Sequence, residues 1–201
     1  MSNIKILILA AVLIICCTSS MYGHKGHKCK QAMPPPRTVP CVNLTKYLGL
    51  WYQQAEIPSY FSIGCTDVTA EYSFNDDGTI KVNNTCTRDG VRDRDGDVGM
   101  AMVEADVNSK LLVTFSGSFD TAGEYWIVRL AYDYTYAVVS NSDYSYLWIL
   151  YREPNMPEEL YECIVEDLRQ DHFPVDMLVR TPFSVAEEGE DGEDGEDGED
   201  G

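Results

Sequence analysis

The sequence predicts an all-β fold: an eight-stranded antiparallel up-and-down β-barrel with one C-terminal α-helix packed on its outside. Three observations carry this. Short segments between Trp51 and Tyr151 alternate apolar and polar residues, the links between them are of hairpin length, and a single late stretch has a helical period. No long crossover of the kind that joins two packed sheets interrupts the series. Eight strands close around a space just large enough for one small ligand.

The elements follow in chain order. Met1-Ser-Asn-Ile-Lys5, an apolar run from Ile6 to Cys17, and then Thr18, Ser19 and Ser20 read as a signal peptide over residues 1–20. The run is shorter than the roughly 20 apolar residues a spanning helix needs. No later stretch approaches that length, so no transmembrane segment is expected and the chain reads as secreted and extracellular. Residues 21–41 contain HKGHKCKQAMPPPRTVP, basic and then proline-rich, an extended arm. The barrel domain is expected over residues 42–184, one domain's worth of chain.

Within it the first strand runs through Trp51. Val68, Ala70, Tyr72 and Phe74 alternate with polar neighbours, and the alternation resumes at Ile80 and Val82 after Asn75-Asp-Asp-Gly78, which is a hairpin with a glycine-containing turn. Further strands are expected at Val98–Val103, Leu111–Phe115, Tyr125–Leu130, Tyr136–Val139 and Leu147–Tyr151. Over Pro157–Gln170, Leu160, Ile164 and Leu168 recur every four residues, with Pro157, Glu158 and Glu159 suited to a first turn. A short strand at Met177–Thr181 follows. The last segment, residues 185–201, carries the run EEGEDGEDGEDGEDG and cannot fold alone.

Charge narrows the partners. Ten carboxylates in that tail supply −10 of the formal −18, leaving −8 for the rest, and no nucleic acid is expected to bind. Weak, diffuse calcium association by the tail is expected, because glycine-spaced carboxylates offer no fixed oxygen cage.

Seven cysteines include Cys16 and Cys17 of the signal peptide, so five remain in the mature chain. Folding the first hairpin about Asp76 and Asp77 brings Cys65 close to Cys86, and a disulfide is expected between them. Cys29 and Cys41 either close a local loop or one of them reaches Cys163. Asn43-Leu-Thr45 and Asn83-Asn-Thr85 are glycosylation sequons. His24, His27 and His172 are the only histidines, and none lies in a strand. No nucleophile–base set can be assembled inside the barrel, so the chain is read as a binding protein without catalysis, cofactor or specific metal site.

Three motif regions carry a family resemblance. Gly49-x-Trp51 opens the first strand, Asp133-Tyr134 lies in AYDYTYAVVS, and Arg152 ends YLWILYREP. In this order and at barrel spacing the chain resembles the lipocalins, and within them the branch of apolipoprotein D and the bacterial outer-membrane lipocalin, over about Leu44 to Pro182. The resemblance implies that Trp51 plugs the closed end with the Arg152 guanidinium stacked across it. It implies that the apolar loop Ile57 to Gly64, with Tyr60 and Phe61, hangs over the open end where a ligand enters.

Alternation places Tyr72 with Ala70 and Phe74 on one face, and Trp148 with Leu150 and Arg152. The resemblance implies that Tyr72 and Trp148 are ligand walls, with Phe115 as a third and Tyr60 and Phe61 at the entrance. Aromatic walls suit fatty acids, lysolipids, sterols, retinoids, carotenoids or bilins. The alternative, motivated by the tail, is an acidic extracellular matrix or mineral-associated protein that uses the barrel as a scaffold.

Overall fold

A computed structural model describes residues 33–93, 96–104 and 107–184. The expected signal peptide, the arm up to residue 32 with Cys29, His24 and His27, and the acidic tail from residue 185 lie outside the described residues. The strands are β1 Gly49–Glu56, β2 Cys65–Phe74, β3 Ile80–Arg88, β4 Val91–Arg92, β5 Asp97–Val103, β6 Lys110–Thr114, β7 Gly123–Leu130, β8 Tyr136–Ser140, β9 Leu147–Tyr151 and β10 Val179–Arg180. Helix α1 spans Leu44–Tyr47 and helix α2 spans Glu158–Gln170.

Every long strand pairs antiparallel with its successor, in the order β1-β2-β3-β5-β6-β7-β8-β9, and β9 returns to pair with β1. Eight strands thus close a barrel, leaving β4 as a flap on β3 and β10 as a short strand on the upper half of β1. The β2–β3 hairpin turns at Asn75–Gly78 and pairs Phe74 with Ile80, as the alternation requires.

Two apolar cores result. The inner one contains Trp51, Tyr72, Ile80, Val82, Leu111, Ile127, Val139 and Leu150, and lies within the barrel. The outer one lies between the barrel wall and α2, where Ile164 and Leu168 meet Ala55, Val128, Val138 and Ile149. Helix α2 forms because its apolar positions fall every four residues, with Glu158 and Glu159 at the positive end of its dipole. Arg129 of β7 ties it down by pairing with Asp167 and Asp171.

Residues 33–41 form neither helix nor strand, and the segment lies against the barrel. Val39 donates its N–H to the Ile127 carbonyl at 3.0 Å, and Val42 donates to Asn108 Oδ1 at 2.9 Å. Five features go beyond the sequence reading: α1, β4, and 3-10 turns at Tyr60–Ser62, Phe119–Thr121 and, last, Val175–Met177. The last occupies the start of the expected Met177–Thr181 strand and shortens it to Val179–Arg180.

Candidate functional site: the barrel interior and its mouth

The closed end is built by the three motif regions together. Gly49 has φ +92°, a left-handed conformation that glycine adopts without a Cβ penalty, and it turns the chain from α1 into β1. Trp51, 0% exposed, then enters the barrel and donates its indole N–H to the Tyr47 carbonyl at 2.8 Å. The Arg152 guanidinium lies 3.7 Å from the Trp51 ring centroid. Its N–H groups donate to the carbonyls of Leu50, Lys46, Tyr47 and Tyr134, at 2.8 to 3.2 Å. Asp133 holds the β7–β8 turn by accepting from the Thr135 amide and hydroxyl, and the Tyr134 hydroxyl accepts from the Asn43 amide at 2.8 Å. One arginine therefore joins α1, β1, the β7–β8 turn and β9.

Above this floor stand three tyrosines. Tyr47 rises from α1, Tyr72 points in from β2 and Tyr125 from β7; the Tyr125 hydroxyl is 2.8 Å from that of Tyr47 and 2.9 Å from that of Tyr72. Burial pushes the Tyr72 hydroxyl up to about 12, and it holds Tyr47 and Tyr125 well above the ordinary 10.0. All three are hydrogen-bonding phenols at neutral pH. The space that the three tyrosines share with Leu48, Ile80, Ala101, Leu111 and Val113 has a volume of ≈ 10 Å³. That is about one water molecule at most.

The upper barrel is more polar than alternation implies. Strict alternation from Trp51 turns Gln53 and Ala55 inward and Glu56 outward. Strand β1 instead shifts register against β9 between Gln53 and Ala55, a β-bulge at Gln54. The Gln54 side chain reaches out to the turn after β9, where its oxygen accepts from the Met156 amide at 3.0 Å and its amide donates to Glu153 and Pro154 carbonyls. Beyond the bulge Ala55 faces the helix-side core, and Glu56, 9% exposed, faces inward beside its β9 partner Trp148. The Glu56 carboxyl is raised above its ordinary 4.5 by burial, partly offset by hydrogen bonding with Ser62, Trp148 and Gln53.

The expected site residues divide between wall and rim. Tyr72 is 7% exposed inside the barrel. Trp148 is half-buried, packs on the inner core and stacks on Tyr146 with ring centroids 5.2 Å apart. Phe115 follows β6 with 51% of its surface exposed, its ring lying over Gly99, where a Cβ would come within 2.7 Å of it. Tyr60 is 86% exposed in the entrance loop, and the side chain of Phe61 lies outside the described residues. The loop does not behave as one unit: Ile63 is exposed, whereas Ile57, expected at the entrance, is 4% exposed and packed in the helix-side core.

Cys65 and Cys86 form a disulfide, with Cα atoms 5.5 Å apart. Cys41 and Cys163 are free and exposed, and neither is bridged to the other. Asn43 is exposed and caps α1 by accepting from the Lys46 amide at 3.2 Å. Asn83 is half-buried within β3, and its Oδ1 has no partner among the described residues. Two interior groups escaped sequence reading. Tyr125 alternates with Ile127 on β7 and was legible; Tyr47 sits on a helix of four residues, too short for a period.

A closed eight-stranded barrel with an aromatic interior, a floor plugged by Trp51 and one external helix is the fold of a calyx-type binding protein. A family profile described as "Lipocalin-like domain" matches residues 42–183, and the chain belongs to the lipocalin family, which binds small hydrophobic ligands. It is 34% identical over 152 residues to temperature-induced lipocalin-1 of Arabidopsis thaliana, covering 71% of this chain and 80% of that one. Outer membrane lipoprotein Blc of Citrobacter freundii is 31% identical, with 86% and 91% covered, and apolipoprotein D of Bos taurus is 28% identical, with 74% and 80% covered. Among solved structures, insecticyanin from Manduca sexta superposes with a TM-score of 0.59 at 19% identity, covering 76% of this chain and 87% of its own. That likeness concerns the fold.

Proposed function

We propose that this chain is a secreted carrier that takes one small hydrophobic molecule, such as a fatty acid, lysolipid, sterol, retinoid, carotenoid or bilin, into its barrel. The observation that carries the reading is the plugged end of the barrel, where Arg152 stacks on the buried Trp51, with Tyr60 and Phe115 exposed beyond the far ends of β1 and β6. In this reading Tyr72 and Trp148 form the walls, and Phe115, Tyr60 and Phe61 form the entrance. Affinity comes from apolar ligand area removed from water. The disulfide between Cys65 and Cys86 supports an oxidising, extracellular location, in which Asn43 and Asn83 are the candidate glycan positions.

The acidic run gives the chain a second, separable duty: weak and diffuse association with calcium, consistent with a matrix- or mineral-associated role. Extraction and mass spectrometry of natively purified protein tests the carrier reading. A bound lipid or pigment at near-stoichiometric amount is expected. Protein that is consistently empty, and that takes up none of these classes on incubation, contradicts it.

A further inference from the structure

Glu56 has no place in an apolar carrier site, yet it is buried in the upper barrel. Its position is built rather than incidental: the bulge at Gln54 is anchored by three hydrogen bonds to the turn after β9, and that bulge alone turns Glu56 from the outer face to the inner one. Once inside, Glu56 is 9% exposed and lies opposite Trp148 of β9. The side chains that act on its carboxyl, Ser62, Trp148 and Gln53, are neutral. Among the described residues none of the ion pairs includes Glu56.

A carboxylate removed from water without a cation is costly, and the cost is offset when a cation or further donor is supplied. Among the described residues no cation pairs with Glu56. A ligand that carries a positive end group supplies both charge and N–H donors at the same place. The tyrosines leave only ≈ 10 Å³ among them, so an amphiphile that enters beside Trp148 leaves its end group near the height of Glu56.

We propose that Glu56 is the specificity-determining residue of the barrel, selecting amphiphiles with an ammonium or other hydrogen-bond-donating cationic end over ionised carboxylates. This rests on the carrier reading above and narrows its ligand class. The carboxyl accepts from the ligand's N–H groups, the Trp148 ring covers the first methylenes, and an anionic head is rejected by like charge in a desolvated setting.

The test is a tryptophan-quenching titration of the full chain with three probes of one length: dodecylammonium, dodecanol and dodecanoate. Dodecylammonium is expected to bind about ten- to a hundredfold more tightly than dodecanoate, the range of a charge-assisted hydrogen bond, with dodecanol between. Glu56→Gln, close to the parent in shape, is expected to erase the preference, and Glu56→Lys to reverse it. Equal binding of the three probes by the parent, tighter binding of dodecanoate, or a preference that survives in a folded Glu56→Gln overturns this inference and leaves the carrier reading standing. Failure of all three probes to bind overturns the carrier reading itself and the inference with it.

Discussion

Trp51 shows how much one residue does here. Fully buried, it fills the floor of the barrel, carries the Arg152 guanidinium on its ring and donates to the Tyr47 carbonyl. Trp51→Ala leaves a cavity with no side chain free to fill it, and a loss of about 3–5 kcal/mol is expected in chemical denaturation. Arg152→Ala is expected to share the defect, because four carbonyls lose their donor. If both variants melt like the parent, the floor is not where stability resides.

Glu56 acts in the opposite sense. Burial raises its carboxyl above 4.5, so ionisation costs the folded state more than the unfolded one. The contribution to stability is intact below 4.5 and is lost as pH rises through the raised folded value. Glu56→Gln is accordingly expected to melt higher than the parent at neutral pH, with the gap closing below about pH 4.5. A gap independent of pH would show that Glu56 is not desolvated. The three tyrosines follow the same sign: stability held below pH 10 falls as pH climbs toward the value of about 12 for Tyr72. Their absorbance change is expected to coincide with alkaline unfolding rather than precede it.

At the scale of elements, the eight barrel strands and α2 were legible because each buries one face, so its period shows in the chain. What was not legible has a physical reason in each case. The bulge at Gln54 is specified by contacts with the turn after β9, about a hundred residues away, and no local period reveals it. Helix α1 is one turn long, signalled only by its Asn43 cap. Phe115 fits the inward alternation yet stands half exposed, because β6 ends at Thr114 and the ring lies at the rim.

The β2–β3 hairpin illustrates both outcomes. Its turn and its alternation read directly, whereas the register shift between Thr66 and Thr69 sets Cys65 opposite Arg88, two residues from its disulfide partner. The bridge spans 21 residues of chain. Replacing both cysteines with serine is expected to cost about 3 kcal/mol by the loop-entropy argument. The change is expected to leave ligand binding intact, since both cysteines lie away from the inner core. A loss of binding in a variant that still folds would place the disulfide in the function of the mouth.

Across the whole molecule, barrel and tail carry different chemistry: a packed aromatic core in one, a run of ten carboxylates in the other. Truncation before Glu187 is expected to abolish calcium association in calorimetry and to leave lipid binding unchanged. A tight stoichiometric calcium site, or loss of lipid binding on truncation, would show that the two are coupled.

In the proposed reading one ligand occupies the upper barrel against Trp148. Titration of the full chain with a fluorescent fatty acid or fatty amine, followed by quenching of tryptophan emission, tests this. Saturable quenching with one ligand per chain is expected, and about tenfold weaker binding in a Trp148→Ala variant that melts like the parent, from loss of roughly 1.5–3 kcal/mol of side-chain burial shared with the ligand. Saturable binding with the same affinity in that variant would contradict it, by placing the ligand away from Trp148.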